Sequence, residues 1–285
     1  MKLIPKLLAA ALSSITLLSV SVHATDPVKS NDVSVLDIKY PVNKEKLAKA
    51  VENNDAEAQH FLGSLYFSGK GDYGQDYKKA FEWYEKSAKN GFSKAQVALA
   101  DMYLNGFGTE PNAAKSIEWL NKAIKQNDTN AMVLLAIMYS KGNGVEKTPK
   151  KYTELLSKAV ALNSNEATAL LGIAYLQGEG VEKDPTKAVE LLTKAADNGV
   201  TVAQATLGMA AYQGKQIPQN YDIALKYLLK AAEANDASSE MFLGIMYEQG
   251  KGVKKDKSKA REWYKKSVSH GNQNAQLMLN LMFLS

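Results

Sequence analysis

No cysteine occurs anywhere in the 285 residues. That excludes disulfides, thiol nucleophiles, cysteine-ligated zinc and an acylated cysteine behind a leader. Histidine is nearly as scarce, with three in all, of which only His60 and His270 lie beyond residue 24. A strong charge of one sign is also lacking. The 35 basic residues face 30 acidic ones, and Lys2 and Lys6 fall in a segment expected to be removed. The remaining excess is too weak to indicate a nucleic-acid binder. Lys78, Lys79, Lys150, Lys151, Lys254, Lys255, Lys257 and Lys259 sit beside Asp, Glu and Tyr at one place of a repeat, as on a solvated helix face. Beyond residue 24 no apolar run approaches the ~18 residues of a membrane span.

Apolar residues are present in quantity, at 45%, enough for a continuous core. At the N-terminus, Lys2 and Lys6 precede an apolar run from Leu7 to Val20, and Val22 and Ala24 supply small residues after it. This order reads as a secretory leader, 1–24, cleaved after Ala24 to leave Thr25 first. An uncleaved anchor is the alternative, but the run is short for a bilayer. The mature chain is therefore expected to be soluble and periplasmic or secreted. Residues 25–43 hold two prolines and no helical period, as in a linker.

From there the chain repeats. Ala58, Ala95, Ala131, Ala167, Ala203, Ser239 and Ala275 define a position zero, spaced by 37 residues once and then by 36 five times. A fixed period of this length indicates stacked helical hairpins. Four residues on stands a leucine (Leu62 through Leu279), then a small residue (Gly63, Ala100, Ala136, Gly172, Gly208, Gly244). Three further on comes a tyrosine in every full unit but one, where Ala211 replaces it. Positions 0, 4 and 8 share a helix face, and the small residue lets a neighbouring helix approach. This helix A stops at a glycine column (Gly69, Gly106, Gly142, Gly178, Gly214, Gly250).

A second helix, B, starts at Asp76, Asn112, Thr148, Asp184, Asn220 or Asp256, each able to cap a helix N-terminus. Pro149 and Pro185 follow at the first helical position. Helix B ends at Gly91, Asn127, Asn163, Gly199, Asn235 or Gly271, the two residue types that best accept a left-handed cap. The expected division is an N-terminal capping helix at 44–57, six units over 58–274 and a half-unit at 275–285.

The pattern A-x-x-x-L-G-x-x-Y-x-x-G-x-G-V-x-x-D-x-x-K-A-x-x-W is best preserved at Ala167–Leu191 and Ser239–Trp263. It resembles the Sel-one-like repeat (SLR) family, a relative of the tetratricopeptide solenoids. Lys215 and Gln216 in place of the second glycine, and Tyr152 in an alanine column, are departures that bear on loops. The resemblance implies an all-α fold, a right-handed α-α superhelical solenoid of about six 36-residue hairpins serving as an adaptor scaffold. For exported members it implies envelope signalling, complex assembly or contact with host cells.

Some disulfide-rich relatives act on β-lactams, so a cell-wall or β-lactam-acting hydrolase is the alternative from another class. No serine is followed three residues later by lysine, and K-T-G is absent. His60 and His270 occupy unrelated repeat positions, which argues against a shared metal. The glycines of Gly63–Gly71 and Gly244–Gly252 lack P-loop spacing. Asp76, Asp184 and Asp256 share their column with Asn and Thr, which suits a cap better than calcium. No catalytic residue, metal or cofactor is expected, and the chain reads as a non-enzyme.

A solenoid offers a concave surface lined by one helix per unit. On helix A, positions 2, 6 and 9 lie opposite the 0, 4, 8 stripe. They include Val97, Asp101, Leu104, Val133, Ile137, Ile173, Leu176, Met209, Tyr212, Met241 and Ile245. That face is more apolar than a solvated one, and every methionine after Met1 lies in helix A, where an adaptable contact suits a partner. Two readings fit: burial by neighbouring units, or a groove for a protein or peptide. At the C-terminus Leu277, Met278, Leu279, Leu281, Met282, Phe283 and Leu284 form an apolar end, which suggests either docking on the last unit or self-association through this helix.

Overall fold

The computed structural model describes residues 44–282. The leader and its cleavage after Ala24, the linker 25–43 and the final 283–285 lie outside the described residues. Every regular element among the described residues is a helix. The helices are α1 (Lys44–Glu52), α2 (Ala56–Ser68), α3 (Tyr77–Lys89), α4 (Ser93–Asn105), α5 (Ala113–Ile124), α6 (Thr129–Lys141), α7 (Pro149–Ala161), α8 (Asn165–Gln177), α9 (Pro185–Asp197), α10 (Thr201–Gln213), α11 (Tyr221–Glu233), α12 (Ala237–Gln249), α13 (Lys257–Ser269) and α14 (Gln273–Met282).

Contacts divide the chain after Ser164 into two compact units. The first holds α1–α7 and the second α8–α14. In the first, each helix A (α2, α4, α6) packs on the helix B that follows it (α3, α5, α7), and each helix B but the last packs on the next helix A. The second unit repeats this with α8, α10, α12 and α14 as helices A and α9, α11 and α13 as helices B.

Helix boundaries follow from side-chain chemistry. Asp76, Asn112, Asp184, Asn220 and Asp256 each accept the backbone N–H three residues on at 3.0 Å, satisfying a donor the helix itself cannot. Thr148 departs from the expected column. Its hydroxyl makes no cap hydrogen bond and instead donates to the Glu146 carbonyl at 3.0 Å, a local side-chain-to-backbone bond that a carboxylate, having no proton, does not form. A second set of caps, at the start of helix A, escaped the sequence reading: Asp55, Asp128 and Asp236 accept from backbone N–H groups there.

Helix B ends as expected. Asn54, Asn127, Asn163 and Asn235 have φ of 58°, 61°, 63° and 60°, a left-handed turn that other side-chain-bearing residues adopt only at a cost.

Packing turns on the small residues. All seven position-zero residues are fully buried. The small residue five places on faces helix B of its own hairpin so closely that a Cβ on Gly63 would stand 2.7 Å from the Tyr84 ring, and one on Gly244 2.5 Å from that of Tyr264. In the first unit separate buried clusters form around Phe61, Leu99 and Leu135. In the second a single cluster runs from Ala169 to Met282.

Candidate partner-binding face

The residues singled out on helix A are mostly used by the fold. In the first unit Val97, Val133 and Asp101 are buried, while Leu104 and Ile137 are half-buried. In the second, Leu176, Met209, Tyr212, Met241 and Ile245 are buried and Ile173 is half-buried. Met209, Met241 and Ile245 belong to the continuous core cluster. The apolar character of positions 2 and 6 is thus explained largely by packing. Half-exposed apolar surface remains at Leu104, Ile137 and Ile173.

Two polar members of the face are held in place. The Asn105 amide donates to the Asp101 carboxylate at 2.9 Å. Burial, and secondarily the Asp101 charge, pushes the Tyr84 phenol well above its ordinary range, so it stays protonated. The Tyr212 hydroxyl donates to Gln249 at 3.0 Å, and its ring meets Phe242 edge-on at 5.4 Å. Position 9 therefore ties one hairpin to the next, as Phe67 does against Phe107 at 5.7 Å.

The remaining candidates for chemistry are dispersed. His60 lies in the first unit, 5.3 Å from both the Tyr84 and Phe92 rings. In the second, His270 Nδ1 lies 2.8 Å from the buried carboxylate of Glu240. Among the described residues no group of three or more acids and histidines is placed to hold a metal ion.

Sequence reasoning missed a polar row at position 1 of helix A. Gln59 accepts from the Asn90 amide at 2.9 Å, Gln96 from the Gln126 amide at 3.0 Å, and Gln204 donates to the Ala196 carbonyl at 3.0 Å. Glu240 extends this row to His270. The signal lies in the sequence, since these residues stand one place after position zero, but their partners stand about 30 residues away or are backbone carbonyls, which no single column marks.

Comparison with known proteins agrees with this geometry. The Sel1 repeat model matches residues 56–92, 93–128, 129–164, 165–200, 201–236 and 237–272, boundaries that enclose successive hairpins. A Sel1 repeat protein from Oxalobacter formigenes is 28% identical, with a TM-score of 0.70 over 84% of this chain and 97% of that one. A protective antigen present in uropathogenic Escherichia coli strains, displaying an SLR fold, is also 28% identical, with a TM-score of 0.64 over 84% of this chain. The present chain covers 51% of that antigen, about half its length. An immunity protein from Pseudomonas aeruginosa shares the fold at 21% identity and a TM-score of 0.54, over 77% of this chain and 82% of that one. No match is found among curated proteins.

Proposed function

Because the chain belongs to the Sel1 repeat family, we propose that it is an exported, non-catalytic scaffold whose helix A side holds a protein or peptide partner. The observation that carries this reading is the half-exposure of Leu104 and Ile137 on helices A of the first unit and of Ile173 on helix A of the second. Apolar side chains left part-bare beside a rigid core are the ingredients of a binding anchor. In the first unit the buried Val97, Asp101 and Val133 stand in the same columns, and in the second the buried Leu176, Met209, Tyr212, Met241 and Ile245 do.

Export rests on the order Lys2, Lys6, Leu7–Val20, Ala24. Mass spectrometry of the protein recovered from the producing cell is expected to find Thr25 at the N-terminus. A chain still carrying Met1 or Lys2 overturns the leader.

The binding face is tested by photocrosslinking in intact cells from Ile137 and Ile173, with the exposed Lys194 as control. A discrete adduct from the first two positions and none from the third supports the face. Equal labelling from all three overturns it.

A further inference from the structure

The positive charge of this chain is concentrated in one place. Between residues 251 and 266 eight Lys and Arg stand against Asp256 and Glu262, whereas outside that stretch 27 basic residues meet 28 acidic ones. The segment is the loop before α13 and most of α13 itself, and Lys254, Lys255, Lys257, Arg261 and Lys265 are all exposed along it.

The repeat accounts for only half of these charges. Lys254 stands where the preceding units carry Glu110, Glu146 and Glu182. Arg261 replaces Phe81, Ile117, Thr153, Val189 and Leu225, none of them charged, and no other unit has a cation in the column of Lys265. Lys251, Lys255, Lys259 and Lys266 do sit in columns where lysine recurs, so the charges peculiar to this unit are Lys254, Lys257, Arg261 and Lys265.

Nor does ion pairing account for Lys254, Lys255, Lys257 or Lys265. On other helices B acids neutralise some of the lysines: Glu85 holds Lys89 and Glu118 holds Lys122, each at 3.0 Å, and Asp197 lies 3.5 and 3.7 Å from Lys226 and Lys230. Among the described residues no such pair engages Lys254, Lys255, Lys257 or Lys265. Lys257, Arg261 and Lys265 follow at successive fours, a strip about 12 Å long, and like charges at that spacing weaken the helix that bears them.

We propose that this strip is a peripheral docking surface for an anionic phospholipid bilayer. Clustered cations beside a fixed negative surface are attracted without any pocket. Among the described residues the large apolar side chains that stand exposed are Leu162, Ile223 and Leu277, none of them on α13. The strip therefore lacks the apolar centre of a protein interface. Its cations are nearly all lysines, point charges that suit a diffuse field better than bidentate recognition of one group. No helix among the described residues is long and apolar enough to cross a membrane, so the contact is superficial. It leaves the helix A side free for the partner proposed above and does not depend on that proposal.

The test is co-sedimentation of the full chain with vesicles of phosphatidylcholine alone and of phosphatidylcholine with phosphatidylglycerol. The readout is the excess binding to the second, so that any insertion of the Leu7–Val20 segment, common to both, is subtracted. Removing four charges by Lys254→Gln, Lys255→Gln, Lys257→Gln and Lys265→Gln is expected to lower the excess about a hundredfold, and high salt to abolish it. A control removing the exposed Lys78, Lys150, Lys158 and Lys183 in the same way keeps it. Equal loss in both variants, or no excess for the native chain, overturns the proposal. Polyglutamate that binds the native chain as tightly as the vesicles also overturns it, pointing to an acidic protein instead. Circular dichroism of both variants confirms that the helices persist.

Discussion

The ammonium of Lys187 lies 4.5 Å from the centroid of the Tyr175 ring, joining helix B to helix A of one hairpin. The pair recurs as Lys79 on Tyr66, Lys115 on Tyr103, Lys151 on Tyr139 and Lys259 on Tyr247, between 4.8 and 5.5 Å. In the remaining hairpin the tyrosine column holds Ala211 and the lysine column holds Ile223, so both members are lost together. A double-mutant cycle of Lys187→Met with Tyr175→Leu is expected to give a coupling of about 0.5–1 kcal/mol in urea unfolding. Strict additivity would mean that the ring does nothing for the ammonium.

Gly244 and Tyr264 make a second test of pairing. Gly244→Ala places a methyl 2.5 Å from a buried ring and is expected to cost about 1–3 kcal/mol. Adding Tyr264→Leu recreates the combination found at Ala100 and Leu120 and recovers part of that loss. Recovery stays incomplete because the Tyr264 hydroxyl also donates to Glu248 at 2.7 Å. Melting of the single and double variants decides the matter, and a double variant weaker than either single one contradicts the steric account.

Asn163 sits at φ 63°. Asn163→Ala is expected to destabilise by about 1–2 kcal/mol, since a Cβ without a polar group to compensate disfavours that turn, while Asn163→Gly stays close to native stability. Chemical denaturation of the two variants separates this from a general intolerance of change.

Asp197 supplies a pH dependence. The Tyr227 hydroxyl donates to its carboxylate at 3.1 Å, and that bond, with help from Lys226 and Lys230, holds the Asp197 carboxyl below its ordinary value. A folded pKa below the unfolded one means stability that is present above about pH 4 and is lost as pH falls through the folded value. The side chain is half-exposed, so the contribution is small. Tyr227→Phe is expected to move the Asp197 titration upward, as followed by carboxyl-carbon NMR. An unmoved midpoint would assign the depression to the lysines alone.

Most of the fold was legible because each boundary has its own chemical marker. Glycine and asparagine columns gave the helix ends, and all but one of the helix B caps bind as read, with Thr148 the exception. The face was harder to read. Apolar residues at positions 2, 6 and 9 look the same in a sequence whether a neighbouring helix or water lies beyond them, and only burial separates Ile173 from Leu176. Pairs such as Lys187 with Tyr175, or Glu240 with His270, were hidden for another reason. Their members lie 12 and 30 residues apart, and each column was read singly.

The tight fit of glycine on helix A against tyrosine or leucine on helix B lies wholly within one hairpin. A stretch of gene encoding one hairpin therefore carries both halves of that contact, and its duplication or deletion in frame leaves it whole. Joints between hairpins are as tight, since a Cβ on Gly108 would run into the Tyr77 backbone and one on Gly144 into the Ala113 side chain, and they tolerate such a change because most units carry the same second glycine. Such an array can change length over evolutionary time without inventing a new core, and its count of hairpins is correspondingly the part of the design most open to drift.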